Sequence, residues 1–144
     1  MILTVIAAFL GTVAFSILYH VPVKHHLVCG LMGAAGWLVY SLCIRFFPSF
    51  SVYAIFASTA VVALLSRAAA VRAACPVTVF LITGIIPLVP GADIYWTAYY
   101  FVTSQMLQAA EKGYAAIKTV IAIVLAIVFV MELPQKLFNF PRRS

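Results

Sequence analysis

Between Ile2 and Tyr19 the chain carries no charged residue, and apolar runs of similar length return at Leu27–Ile44, Ser49–Leu65 and Ile117–Leu133. Each is close to the roughly 20 residues a helix needs to cross ~30 Å of hydrocarbon, where every backbone amide must find its partner within the segment. A further apolar region, Pro76–Gln108, is too long for one straight crossing and is broken by Pro87, Pro90 and Gly91. Composition agrees: 8% of residues are charged and 66% are hydrophobic, whereas a soluble domain carries roughly a quarter charged. So little polar surface excludes a soluble enzyme, a secreted disulfide scaffold and a disordered chain. The net charge of +6 does not argue for nucleic acid either. Its basic residues sit singly between apolar runs, so no face has the density that phosphate binding needs. The expected fold is an all-α polytopic membrane protein, a single transmembrane domain over residues 1–144.

The interruptions set the topology. Pro22, Lys24, His25 and His26 separate the first two runs, Arg45 and Pro48 close the second, and Arg67 and Arg72 close the third. No Lys or Arg precedes the first run, so it reads as a retained span and not as a secretory signal. If residues 76–108 cross once, Lys24, Arg67, Arg72, Lys136, Arg142 and Arg143 share one side, against Arg45, Lys112 and Lys118 on the other. Two crossings give a weaker bias, and Pro76–Ile86 makes only ~16 Å of helix. The positive-inside rule therefore favours five spans, over 2–19, 27–44, 49–65, 76–108 broken at 87–91, and 117–133. The N-terminus then lies outside and the C-terminus in the cytoplasm.

Small residues recur at four-residue spacing: Thr4, Ala8, Thr12 and Ser16 in the first run, Cys29 with Gly33 and Gly30 with Ala34 in the second, Ala54 with Ser58 in the third. In lipid such columns are where helices approach closely. Cys29, Cys43 and Cys75 lack CxxC spacing and read as small buried side chains.

Only three acids exist. Glu111 and Glu132 lie at the ends of the last run and read as interfacial charges. Asp93 follows the break directly and starts a run that continues into the membrane, where an ionisable group is a functional candidate by default. Counting forward at helical spacing gives Asp93, Thr97, Tyr100, Ser104 and Gln108 on one face. Such a stripe faces a water-filled path or another helix. Pro87 and Pro90 remove amide donors, and the helix restarting at Gly91 leaves its first amides unpaired with its positive dipole end at the site. Broken helices of this kind hold carboxylate groups in many transporters. The rival reading is a kink that only fits two helices together, with Asp93 capping the restarted helix.

Other candidates carry less. His25, His26 and Cys29 bring donor atoms together, but adjacent histidines diverge on a helix, so no metal is expected. Arg67 and Arg72 are explained by topology. Trp96, Tyr95, Tyr99 and Tyr100 cluster after the break, two of them as interfacial anchors, with Tyr95 placed to face the site. No nucleophile–base set, paired catalytic carboxylates or phosphate-cradling loop occurs, so neither an enzyme nor a cofactor is expected.

The stretch Pro76–Tyr95, PVTVFLITGIIPLVPGADIY, resembles the signature of the threonine/serine exporter family, and more narrowly of its small subunit or C-terminal half. The likeness rests on Pro76, Phe80, Gly84, the Pro87–Gly91 run and Tyr95, inside a small five-span chain. It implies a bacterial inner-membrane exporter of small metabolites driven by the proton gradient, with a larger membrane subunit of the same family as partner. Some members are similar to succinate exporters. Alternating access needs two bundles moving against each other, so five helices are half a machine, completed by a different chain or a copy of this one. On this reading Asp93 binds a substrate ammonium or exchanges a proton, and amides near Gly91 receive a carboxylate. Thr97, Tyr100 and Ser104 line the path, and Gly84, Pro87, Pro90 and Tyr95 shape the break. A zwitterion suits Asp93 better than a dianion, because no basic residue is expected at that depth unless the partner supplies one. A non-transporting assembly subunit, whose stripe binds a partner helix, remains the alternative of another class, and a small homo-oligomeric channel a third.

Overall fold

The computed structural model describes residues 2–47 and 51–134, and helices account for nearly all of them. In order they are α1 (Ile2–Leu18), α2 (His26–Phe46), α3 (Ser51–Ala73), α4 (Thr78–Ile85), α5 (Gly91–Val102) and α6 (Met106–Met131). Single 3-10 turns at Val23–His25 and Ile86–Leu88 lead into α2 and out of α4. There is no strand among the described residues. Three helical segments are long and apolar enough to cross a membrane: Val23–Phe46, Ser51–Ala73 and Met106–Met131. A fourth passes as a pair, Thr78–Leu88 with Gly91–Val102, bent by 56° at the break, and Ile2–Leu18 is a shorter apolar helix of 17 residues. The chain is an all-α, multi-pass membrane protein.

The small-residue columns are contact surfaces. Thr12 and Ser16 are fully buried against α2, and a Cβ on Gly33 would overlap the Thr12 hydroxyl. Because the helices touch there, the hydroxyls cannot reach water and turn onto their own backbone: Thr12 donates to Ala8 O at 2.8 Å and Ser16 to Val13 O at 2.7 Å. Gly84 does the same for α4. A Cβ there would lie 2.8 Å from Val62 of α3 and 3.0 Å from Met32 of α2. Val62, Ala63, Leu81, Leu88 and Val130 form the central apolar cluster, joining α3, α4 and α6.

Several helix ends differ from the sequence expectation. The third helix does not stop at Leu65 but runs to Ala73. Arg67 is thus no loop charge: it is buried within α3, and its guanidinium donates to Val130 O and to Leu133 O, the latter at 2.9 Å. Val130 O lies in the last turn of α6, where Leu133 N also reaches it at 3.3 Å, and Leu133 O follows just beyond the helix. The last helix starts at Met106, well before Ile117. The expected single stretch to Gln108 is divided by a turn, since α5 ends at Val102. Three helices, α1, α3 and α5, end with a non-glycine residue in the left-handed region: His20 (φ 54°), Ala74 (φ 50°) and Ser104 (φ 59°). The following amide closes each end onto a carbonyl five residues back, as in Val21 to Ser16, Cys75 to Ala70 and Gln105 to Tyr100. Pro48, Ser49 and the tail with Lys136, Arg142 and Arg143 lie outside the described residues.

α6 is about 39 Å long at 1.5 Å per residue over its 26 residues, and its two halves have different neighbours. The C-terminal half packs on α3, through Ala122 and Ile123 against Ile55, and Phe129 against Phe56. The N-terminal half packs on α5, with Gly113 beside Thr97. α5 and the start of α6 therefore form a hairpin, and none of the α5 residues is buried.

Candidate functional site

A cavity of about 350 Å³ lies where the hairpin meets the bundle. Its floor is the break itself, Pro87 to Asp93; Trp37 and Tyr40 of α2 and Ser51, Val52 and Ile55 of α3 form one wall, and Ala115, Lys118 and Thr119 of α6 the other. Because Ser51 is the first residue of α3, the cavity sits at the end of the bundle where α3 begins.

The backbone explains this placement. Pro87 sits in the 3-10 turn Ile86–Leu88, Val89 is extended (ψ 134°), and Pro90 turns the chain so that α5 opens at Gly91. The start of α5 has no side-chain cap, and Gly91 N donates to Val89 O at 2.8 Å. The capping role considered for Asp93 is therefore absent. Its carboxylate instead faces α6, where Lys112 Nζ lies 3.4 Å from Oδ1.

Four expected site residues, Pro87, Pro90, Gly91 and Asp93, line the cavity together. The others do not. Gly84 is spent on helix packing. Thr97 turns toward α6 and donates to Asp93 O at 2.6 Å. Tyr100 stacks on Trp96 at 5.7 Å, and Tyr95 is exposed with its ring edge-on to Trp96. Ser104 stands in the turn after α5, so the polar stripe ends at Tyr100, and Gln108 belongs to another helix.

Sequence reading missed Lys112 and Lys118, which it spent on topology. Lys118 lines the cavity and lies 4.5 Å from the centre of the Tyr114 ring. The premise that no basic residue stands near Asp93 is thus corrected. A lysine inside the apolar stretch from Ala115 onward was itself a signal. Trp37 was missed as well. Its indole N–H is shut from solvent and finds no acceptor among the described residues, which leaves a donor at the cavity wall unspent. Elsewhere, His26 Nδ1 lies 2.7 Å from Ser16 Oγ while His25 sets its ring edge against Phe80, so the two histidines diverge.

A cavity with one acid, one lysine, an uncapped helix start and several hydroxyls can hold a small molecule carrying both charges. Comparison with known families adds the class. The family model of the threonine/serine exporter, ThrE, matches residues 4–133. The chain belongs to the threonine/serine exporter family. The match covers all six helices apart from the first residues of α1, so the cavity and both its walls lie inside it. No curated protein and no solved structure matches the chain. As a member of an exporter family it is a transport protein of the membrane.

Proposed function

We propose that the chain is one half of a proton-driven exporter of threonine- or serine-type amino acids in the bacterial inner membrane. It crosses five times as one transmembrane domain, with its N-terminus outside and its C-terminus in the cytoplasm. It works with a larger membrane subunit of the same family. The observation that carries the reading is the cavity at the break, where Asp93, the start of α5 and Lys118 meet inside the family match. A substrate ammonium is placed on Asp93, and its carboxylate is placed between Lys118 and the first turn of α5, where the helix dipole favours an anion. The hydroxyls of Ser51 and Thr119 are on hand for a hydroxylated side chain.

One observation favours a second substrate class. Lys118 and the start of α5 offer two places for an anion, and that pair also suits a dicarboxylate such as succinate. The exposed α5 aromatics favour docking to another helix, as an assembly subunit requires. The test is loss of labelled threonine from preloaded cells producing this chain and its larger partner, singly and together. Efflux only from the pair, abolished by an uncoupler and by Asp93→Asn without loss of the complex, is expected. No threonine efflux with succinate efflux present moves the assignment to the dicarboxylate. Loss of the complex in Asp93→Asn moves it to assembly.

A further inference from the structure

Asp93 is engaged from one side only. Asp93 lines the cavity, whereas Lys112, which approaches its Oδ1, does not. Among the described residues Oδ2 accepts no hydrogen bond. The acid is held from behind by a cation of its own chain and is open in front. A well-formed charge-assisted pair closes to about 2.7–2.9 Å; this one stands at 3.4 Å, with the two side chains 42% and 33% exposed. A pair so loose and so wet exchanges partners at little cost. The second cation, Lys118, is already in the cavity wall.

We infer that Lys112 is a specificity-determining residue, whose ammonium a substrate's α-ammonium displaces from Asp93. The inference rests on the exporter reading of the cavity and adds to it the group that a substrate competes with. An amino acid takes over Asp93 and frees Lys112. A carboxylate without an amine leaves the Asp93–Lys112 pair closed and draws nothing from Asp93, so it binds by Lys118 and the helix start alone. Lys112 thereby sets both how tightly an amine is held and how strongly it is preferred over its amine-free analogue.

The experiment is uptake of labelled threonine into everted membrane vesicles containing the chain and its larger partner, with 3-hydroxybutyrate, which is threonine without its amine, as inhibitor. Lys112→Met is expected to lower the KM for threonine about twofold to fivefold at unchanged kcat, the worth of a surface pair. Lys112→Arg keeps the competitor and the wild-type KM, and inhibition by 3-hydroxybutyrate is the same in all three. If Lys112→Met fails to accumulate, Lys112→Gln must show the same fall. An unchanged or raised KM in the neutral variant, or a parallel gain in 3-hydroxybutyrate inhibition, overturns the inference while wild-type uptake leaves the exporter reading standing. Wild-type vesicles that take up no threonine overturn that reading itself.

Discussion

The bundle of α1–α4 with the C-terminal half of α6 and the hairpin of α5 with the N-terminal half of α6 differ in how deeply they bury their polar residues. In the bundle, buried Ser58 donates to Ile55 O at 2.9 Å and buried Thr83 to Val79 O at 3.0 Å. Arg67, buried in α3, is fixed by Val130 O of α6 and Leu133 O just beyond it. In the hairpin, no α5 residue is buried, the ion pair is loose and partly wet, and Tyr95, Trp96, Tyr99 and Phe101 are exposed. One region is closed by close helix contact, while the other leaves its charges and aromatics available. The cavity lies on the seam, taking a rigid wall from α2 and α3 and its charges from the hairpin side.

That contrast can be broken most sharply at the glycines. Gly33→Leu forces a side chain into the Thr12 contact, and overpacking of this kind costs ~3 kcal/mol or more where nothing can yield; little monodisperse protein should survive detergent extraction. Gly113→Ala in the hairpin meets Thr97 at ordinary contact distance, Cγ2 at 3.4 Å and Oγ1 at 3.8 Å, and should extract like wild type. Equal losses from both would erase the distinction. Arg67→Ala comes next, expected to cost about 3 kcal/mol because two hydrogen bonds from a charged donor are lost in a buried place. Hydrogen exchange should rise at Val130–Leu133 before it rises in α5. A smaller effect of opposite sign is expected from glycine at the left-handed ends: Ala74→Gly and Ser104→Gly should each raise stability by ~1 kcal/mol, read as a higher Tm. Smallest of all in stability is Asp93→Asn, within about 0.5 kcal/mol since its pair is exposed. Transport should nevertheless disappear. A Tm drop as large as that of Arg67→Ala would show that Asp93 belongs to the frame.

The frame was largely legible in the chain. Apolar runs near 20 residues announce spans, and the Thr12–Ser16 and Cys29–Gly33 spacings announce faces where helices touch, because both follow from local period alone; that the two faces meet each other does not. Helix ends were less so. Arg67 reads as a stop until its acceptors arrive from α6, 63 and 66 positions away in sequence. The turn at Ser104 has neither glycine nor proline to mark it. The acid of the site stood out, since few acids exist and this one follows a break. Its partner Lys112 and the cavity's Lys118 did not, because only the folding back of α6 on α5 brings the one to Asp93 and the other to the same cavity.

The grip of Arg67 on the C-terminal end of α6 has a mechanical consequence. A helix clamped at one end, with its other end carried outside the bundle, is a cantilever. Since α6 is also held to α3 as far as Ala122, its free arm is the part from Met106 to Ile121, about 24 Å long, and a tilt of about 10° there carries its tip by about 4 Å. Lys118, four residues from Ala122, would move by only about 1 Å, so the cavity wall keeps its place while the turn between α5 and α6 is free to swing.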